Sequence, residues 1–277
     1  MKLKIKNKIE SFFKIQLYNL GLNIERKTKS SDIKNFISKF KKNYISTDLI
    51  RVGGNGDGGY LIPDILNDVD ICFSAGVGAI SKFEKDLSEN YKIKSFMVDG
   101  SVDFPPEEDK NFFFLKKYLS SVSDIHNITL SDWLLESQVK KNEKIILQMD
   151  IEGSEYEVLT YESSQMLEKF SLLVFEFHKL ENIVNPIFYK MINAIFDKIY
   201  KNFKICHVHP NNFSGVYKYN DFKIPSSIEI TFIRNDLSEA KKLKKEIILP
   251  HDLDQKNVQN IREINMPKIW WKKNCTQ

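Results

Sequence analysis

Short apolar runs alternate with segments of helical periodicity along most of the chain. Apolar runs of this length, rich in β-branched and aromatic residues, predict buried strands. Seven of them are VDICFSAGV, KIKSFMVDG, FFFLKKYLS, EKIILQMDIEG, SLLVFEFHKL, KICHVHPNN and SIEITFIRN. Between them, SKFEKDLSENY, TLSDWLLES, SEYEVLTYE and PIFYKMINAIFDKIYKNF have helical spacing. The pattern predicts repeated β-α-β units, which form a parallel sheet with helices on both faces.

The connection between the last two predicted strands, FSGVYKYNDFKIPS, predicts a loop without a crossover helix. The seventh strand must therefore run antiparallel to the sixth. We predict an α/β fold, a doubly wound seven-stranded and mostly parallel sheet with the last strand antiparallel, preceded by an N-terminal helix and a hairpin. The predicted boundaries are an amphipathic helical extension over 1–48, the α/β domain with its glycine-rich hairpin over 49–240, and a C-terminal extension over 241–277.

Composition and charge narrow the class of protein. The 277 residues are 42% hydrophobic, which is enough to fill a core. The net charge of +4 is too small and too evenly spread to indicate nucleic-acid binding. Cys72, Cys206 and Cys275 have unrelated spacings, which argues against a disulfide framework or a zinc site and favours a cytoplasmic protein. No apolar run reaches the length of a transmembrane segment.

The N-terminal stretch MKLKIKNKIESFFKIQLYNLGL interleaves lysines with apolar residues. This spacing predicts an amphipathic helix rather than a signal peptide. Two interpretations stay open. The helix packs on its own domain or on a second copy, as in a homo-oligomer, or it rests as a basic helix on a membrane surface.

Polar residues and glycines lie where the predicted strands end. Ligands of doubly wound sheets bind beyond the carboxyl ends of the strands, so these positions are candidates for a site. They are Gly76 and Gly78, Asp99, Asp150 and Glu152, His178, His209, Asn211 and Asn212. Because the seventh strand is reversed, its first residues, Ser227 and Glu229, lie at the same edge. His207 lies deeper in its strand and is predicted to be a core histidine.

The stretch FSAGVGAIS follows the first strand and contains two of these glycines. Glycine lets the backbone turn tightly and approach a ligand without a Cβ in the way. Asp99, about 20 residues later at the end of the second strand, is placed to accept hydrogen bonds from the two hydroxyls of a ribose. Ser81 stands where a nicotinamide enzyme would have the third glycine of its fingerprint. The pattern favours an adenosine-containing cofactor, with a purely structural turn as the alternative.

Four segments resemble the FkbM-type family of class I S-adenosylmethionine-dependent methyltransferases: RVGGNGDGGYLIP, FSAGVGAISKFEKDL, LQMDIEGSEYEVL and VFEFHKL. The resemblance spans roughly residues 50 to 235 and implies a class I methyltransferase-like sheet with S-adenosylmethionine as cofactor. We assign Ser74, Gly76, Gly78 and Asp99 to cofactor binding, together with Asp57 of the glycine-rich loop. A plain β-hairpin, whose turns need positive φ, is the alternative for that loop.

Methyl transfer to a hydroxyl requires alignment of the acceptor and removal of its proton. Either a general base or a divalent metal (Mn, Fe or Mg) can meet this need. We assign catalysis to Asp150, His178, His209 and Glu229. The candidate metal ligands are Asp150, Glu176 and His178, since Glu176 lies two residues before His178 and hence on the same strand face.

The resemblance implies an O-methyltransferase that acts on a sugar or nucleotide-linked sugar, in surface polysaccharide biosynthesis. The expected partner is a small-molecule substrate, with no nucleic acid and no transmembrane segment. Two alternatives remain: a nucleotide-dependent oxidoreductase on a similar scaffold, and a non-catalytic assembly protein that has kept the fold.

Overall fold

The computed structural model describes residues 2–21, 26–240 and 247–272. The helices are α1 (Lys2–Asn19), α2 (Ser30–Lys42), α3 (Lys82–Tyr91), α4 (Leu130–Glu136), α5 (Glu155–Tyr161), α6 (Ser164–Leu167), α7 (Pro186–Ile199) and α8 (Asn235–Ala240). The strands are β1 (Leu49–Val52), β2 (Tyr60–Pro63), β3 (Ile71–Ala75), β4 (Lys94–Val98), β5 (Phe112–Leu115), β6 (Tyr118–Leu119), β7 (Asn127–Ile128), β8 (Ile145–Met149), β9 (Phe170–Phe177), β10 (Phe203–Pro210), β11 (Val216–Tyr219), β12 (Phe222–Pro225) and β13 (Ile228–Arg234). Short 3-10 turns cover Leu66–Asp68, Leu180–Val184 and Lys268–Trp270.

Seven strands form the central sheet in the order β10-β13-β9-β8-β3-β4-β5. Strands β3, β4, β5, β8 and β9 are parallel, and β13 is antiparallel to both of its neighbours, β9 and β10. The predicted fold class, with its reversed last strand, is confirmed. We call the edge at which the parallel strands end the carboxyl edge; β13 begins there.

The connection between β10 and β13 differs from the predicted loop. It contains the antiparallel hairpin β11–β12, in which Val216 pairs with Pro225 and Tyr219 with Phe222. Phe222 and Ile224 alternate with exposed Lys223 and are buried in the core. The hairpin therefore forms because one of its faces packs against the domain, a contact that the local sequence does not reveal.

One face of the sheet is covered by α2, α4, α5 and α7. Helix α2 buries Ile33, Phe36, Ile37 and Phe40, which are spaced three or four residues apart as a core-facing helix requires. Trp270, near the end of the described chain, packs edge to face on Phe40, with ring centroids 5.3 Å apart. Described parts of both predicted extensions, residues 30–42 and 268–270, thus pack in the main hydrophobic core.

The other face is covered by the hairpin β1–β2 and by α3. Val52 and Tyr60 of the hairpin and Phe83 of α3 pack against a second apolar cluster that includes Cys72 of the sheet. The hairpin is also tied to the sheet by the Thr231 hydroxyl, which donates to the Leu61 carbonyl at 2.7 Å. The glycine-rich loop at the hairpin tip is thereby held over the carboxyl edge.

Two further predictions, on the cysteines and on membrane-spanning helices, can be compared with the described residues. Cys72 and Cys206 are free and buried, while Cys275 lies outside the described residues. Within the described ranges, no helix is both long and apolar enough to cross a bilayer.

Candidate active site

A cavity of about 580 Å³ opens at the carboxyl edge, between the loops that follow β3, β4 and β8. The glycine-rich loop contributes Asp57, Gly58 and, at its end, Tyr60. Of the predicted site residues, this cavity is lined by Asp57, Gly76, Gly78, Asp99, Asp150 and Glu152. Residues from four separate segments of the chain therefore meet at one opening.

The two glycines after β3 serve different purposes. A Cβ on Gly76 would lie 1.6 Å from the Asp150 carbonyl oxygen, because the β3 loop passes directly over the end of β8. A Cβ on Gly78 would meet no heavy atom within 4 Å, although its φ of +52° is also left-handed. Gly76 is thus required by the fold itself, and Gly78 leaves open space on the cavity side.

Asp99 binds the loop that contains Gly78. Its Oδ2 accepts from the Gly78 N–H at 2.8 Å, and its Oδ1 accepts from the Ser101 N–H at 2.7 Å and the Ser101 hydroxyl at 2.6 Å. A carboxylate oxygen accepts two hydrogen bonds, so Oδ2 retains capacity for one more donor. The carboxylate is buried but still lines the cavity.

Ser74 lies beneath the cavity instead of in its wall. Its hydroxyl is fully buried and contacts Glu84 Oε1 and, at 2.8 Å, Gln148 Oε1. Gln148 in turn donates to the Tyr60 hydroxyl at 3.2 Å. Burial raises the pKa of Glu84, which suits a protonated partner for Ser74. Glu84, Gln148 and Tyr60 themselves line the cavity, and sequence reasoning missed all three as site residues.

The glycine-rich loop is a hairpin turn that also borders the cavity, so both interpretations of it apply. Arg51 does not reach the cavity; its Nε donates to the Gly54 carbonyl at 2.5 Å and its Nη2 to the Gly56 carbonyl at 2.9 Å. These two hydrogen bonds from Arg51 stabilise the turn of the glycine-rich loop. Asp57 accepts from the Asn257 amide at 3.2 Å, a contact with the far end of the chain.

Asp150, Glu176 and His178 come together at the ends of β8 and β9. One potential ligand atom from each lies within 4.8 Å of the others. His178 Nε2 is 3.7 Å from Asp150 Oδ1 and 3.6 Å from Glu176 Oε1. Asp150 Oδ1 is buried without a hydrogen-bond partner among the described residues. The geometry brings together the three residues that the sequence suggested as metal ligands.

His178 is oriented by Glu155. Its Nδ1 lies 3.0 Å from Glu155 Oε1, and Glu155 is completely buried. Burial alone would lower the pKa of His178, but the Glu155 hydrogen bond and the charges of Glu176 and Asp150 outweigh it and raise the pKa to about 9. The hydrogen bond leaves Nε2 directed at Asp150 and Glu176.

A buried carboxylate holds the turn before α5. Ser154 precedes the helix but makes no capping hydrogen bond. Instead Glu155 Oε1 accepts from the Ile151 N–H at 3.1 Å and the Gly153 N–H at 3.0 Å. Glu155 therefore organises the β8–α5 turn and His178 together.

A row of ionisable groups continues from Glu176 across the sheet. Glu229 pairs directly with Glu176 on β9 and with His209 on β10. Burial, which outweighs the nearby charge of His209, raises the pKa of Glu229 to about 8. Burial lowers the pKa of His209, but Asp254 and Glu229 reverse this and raise it to about 9. His209 and Glu229 are thus neighbours of the cluster and do not line the cavity.

The C-terminal segment 251–263 covers this row, and sequence reasoning missed its contribution. Asn257 donates to Glu229 Oε1 at 2.6 Å. Asp254 Oδ1 lies 2.9 Å from His207 Nε2 and 3.7 Å from His209 Nδ1. As expected for a core histidine, His207 is buried. The sequence did not predict that Asn257 and Asp254 contact the row, because segment 251–263 has neither helical nor strand periodicity.

Residues 69–203 match the family model described as the methyltransferase FkbM domain. This part of the chain, just under half of its length, is similar to the FkbM methyltransferase domain. The matched region runs from just before β3 to the first residue of β10. It includes both glycines, Asp99 and the Asp150–Glu176–His178 cluster, while the hairpin β1–β2 and the pair His209 and Glu229 lie outside it.

Solved structures with a similar course of the chain are distant. A Methanococcus jannaschii fibrillarin pre-rRNA processing protein is 10% identical, with 68% of this chain and 82% of that chain covered and a TM-score of 0.36. A putative DNA modification methyltransferase encoded within a prophage, from E. coli, is 10% identical, with 67% and 52% covered and a TM-score of 0.39. No curated protein matches the chain.

The FkbM match and the sheet topology support a methyltransferase activity, and a class I fold of this kind implies S-adenosylmethionine as the methyl donor. The resemblance stated from the sequence is confirmed. A methyltransferase is accordingly favoured over the oxidoreductase and over the non-catalytic assembly protein.

Proposed function

We propose that this protein transfers a methyl group from S-adenosylmethionine to a hydroxyl of a sugar or nucleotide-linked sugar, with a divalent metal held by Asp150, Glu176 and His178. One observation carries the proposal. The three-residue cluster lies beside the cavity that Gly78 and Asp99 line, and Asp150 belongs to both. A methyl donor and an activated hydroxyl would therefore meet at Asp150.

The cofactor half of the cavity fits an adenosine-containing donor. Gly78 leaves room for a ligand against the backbone, and Asp99 Oδ2 has capacity for one hydroxyl donor. Asp99 would position the ribose, while its bonds to Gly78 and Ser101 hold the carboxylate in place. Tyr60 and Gln148 form the floor below.

The cluster also fits a cation by charge and by donor type. Burial and the charge of Glu176 raise the pKa of Asp150 well above its usual value, and burial raises that of Glu176. Burial and like charge therefore disfavour two ionised carboxylates at this place, and a bound cation would relieve both effects. A set of one imidazole and two carboxylates suits manganese or iron better than magnesium, which prefers oxygen alone. A bound divalent ion would lower the pKa of the acceptor hydroxyl and orient it.

Glu155 and the amide of Asn211 would keep these ligands in place. Glu155 fixes the His178 ring through Nδ1 and leaves Nε2 for the ion. Glu176 Oε1 accepts from the Asn211 amide at 2.9 Å and from the Ser227 hydroxyl at 2.5 Å. Such outer contacts are typical of ligands that must hold one orientation.

A sugar acceptor rests on the family resemblance. Two lysines on segments that border the cavity would suit the diphosphate of a nucleotide sugar. Lys82 lies against Gly54 of the glycine-rich loop, and Lys179 lies against Gly153 of the β8–α5 turn. A diphosphate needs positive charges on flexible side chains near the acceptor, and both residues provide this.

Calorimetric titration of metal-stripped protein with S-adenosylhomocysteine, with and without Mn²⁺, tests the proposal. We expect micromolar binding of S-adenosylhomocysteine and one equivalent of bound Mn²⁺. His178→Ala should abolish Mn²⁺ binding and methylation of a nucleotide-sugar pool and leave S-adenosylhomocysteine binding intact. His126→Ala, a change at an exposed histidine, is the matched control.

Two outcomes would contradict the proposal. Absence of S-adenosylhomocysteine binding in both conditions would remove the cofactor assignment. Turnover by His178→Ala at the wild-type rate would remove the metal cluster from the reaction.

A further inference from the structure

Helix α1 exposes apolar side chains to an unusual degree. The exposed fraction is between 58% and 75% for four residues of α1, Phe12, Phe13, Ile15 and Tyr18, and for Leu20 just beyond it. Exposed apolar residues in this number mark a surface that binds a protein or a membrane.

The excess positive charge of the chain, which was expected to be evenly spread, lies in the same region. The first 29 residues contain eight Lys or Arg and two Asp or Glu, so the rest of the chain has two more acidic than basic residues. Helix α1 itself contains five lysines and one glutamate. A second copy of this helix would repel it, whereas an anionic surface would attract it.

The domain receives this helix at the carboxyl edge. Beyond α1, the Thr28 N–H donates to the Val184 carbonyl at 2.8 Å and the Thr28 hydroxyl to the Ile183 carbonyl at 2.8 Å. Both carbonyls belong to the turn that follows the end of β9. The chain from Gly21 to Arg26 can span at most about 18 Å. Gly21, just beyond the C-terminal end of α1, therefore lies within about 18 Å of Arg26, two residues before Thr28 at the edge that carries the candidate active site.

Further apolar groups are exposed at this edge. Ile187, at the start of α7, is 70% exposed, and Phe213, in the loop after β10, is 73% exposed. Both follow strands that end at the carboxyl edge. Lysines together with exposed aromatic and aliphatic side chains suit the interface between lipid headgroups and acyl chains.

We propose that α1, with Ile187 and Phe213, docks on the surface of an anionic lipid bilayer and turns the carboxyl edge toward it. Lysines of α1 supply the attraction to the headgroups. The apolar side chains insert below them. The docking does not depend on methyl transfer, so it can be tested apart from the proposed activity.

Vesicle flotation with the full chain tests the attraction. We expect binding to phosphatidylcholine vesicles with about 30 mol% phosphatidylglycerol, weaker binding at high salt, and little binding to phosphatidylcholine alone. Lys4→Glu with Lys6→Glu should weaken binding by at least about 30-fold. Lys140→Glu with Lys141→Glu, changes at two exposed lysines near the opposite edge, should have no effect beyond about twofold.

The apolar contribution has its own variant. Phe12→Ser with Phe13→Ser should weaken vesicle binding by at least about tenfold and leave S-adenosylhomocysteine affinity unchanged. Equal binding of the wild type to both kinds of vesicle, or to neither, would overturn the proposal. So would a dimer, seen by light scattering, that the Phe12 and Phe13 changes dissociate, because the occupant would then be a second copy.

A polarity-sensitive dye tests which edge faces the bilayer. Cys72 and Cys206 are buried, so the dye is attached through Phe213→Cys, or through Leu135→Cys as the control, with Cys275→Ser in both. Leu135 is 77% exposed and lies near the residues that begin β8. We expect a blue shift on vesicle addition at position 213 only; no shift there, or an equal shift at 135, would refute the orientation.

Discussion

The variants Gly76→Ala and Gly78→Ala should distinguish a glycine that the fold requires from a glycine that cofactor binding requires. Both residues have left-handed φ, at +84° and +52°, so alanine costs about 1–2 kcal/mol at either position. At Gly76 the new Cβ also lies 1.6 Å from the Asp150 carbonyl oxygen, and both backbones must move. Overpacking of this kind costs about 1–3 kcal/mol more. We expect Gly76→Ala to lower the free energy of unfolding by about 2–5 kcal/mol and Gly78→Ala by about 1–2 kcal/mol.

For cofactor affinity, measured on folded protein, we expect the opposite order: Gly78→Ala should lose more affinity than Gly76→Ala. The Cβ of Gly78→Ala would project into open space of the cavity, where the cofactor is proposed to lie. We expect at least about tenfold weaker binding of S-adenosylhomocysteine, equivalent to about 1.4 kcal/mol. Urea denaturation gives the stabilities, and calorimetric titration of each variant gives the affinities.

Two results would refute this reasoning. If both variants lose the same stability, the close approach of the β3 loop to the end of β8 is not what requires glycine. If Gly78→Ala binds S-adenosylhomocysteine as tightly as the wild type, the cofactor does not lie against this backbone.

Three further predictions concern single side chains. Asp99→Ala should weaken S-adenosylhomocysteine binding with the fold intact, while Asp103→Ala, at an exposed carboxylate, should not; equal affinities in a titration would exclude the ribose role. The pKa of about 9 for His209 means that its proton stabilises the folded state fully below about pH 6.5, and the effect is lost as pH rises to about 9, up to about 3 kcal/mol. His209→Asn should flatten denaturation free energies over that window, and an unchanged slope would contradict the assignment. Trp270→Ala should cost about 3–5 kcal/mol in urea denaturation, because the fully buried ring packs on Phe40 and donates to the Lys223 carbonyl; a smaller loss would mean that this end of the chain adds little to the core.

Much of the candidate site could be predicted because it follows from the edge at which each strand ends and from the alternation of side chains between the two faces of the sheet. Asp150 and His178 end neighbouring parallel strands, so a shared edge brings them together without knowledge of side-chain packing. Glu176 lies two residues before His178, and the pleat places both on one face. The reversed direction of β13 added Glu229 to the same edge.

The parts that escaped prediction depend on packing between distant segments. Ser74 was expected at the cofactor, but the side chain points to the buried face, where Glu84 and Gln148 contact it. Glu155 looked like a first-turn acid, and only its burial against His178 shows its role. In each case the periodicity indicates a face of the element and leaves unknown what lies on that face.

The sequence by itself determined the α/β architecture, the antiparallel last strand and the edge at which chemistry is placed, because local periodicity and connection length dictate these features. The tertiary structure decided which groups touch. Asn257 binds Asp57 across 200 residues of chain, and Gly76 is glycine because of the Asp150 carbonyl. Such contacts arise when separately formed layers close on one another, so no local stretch of sequence encodes them alone.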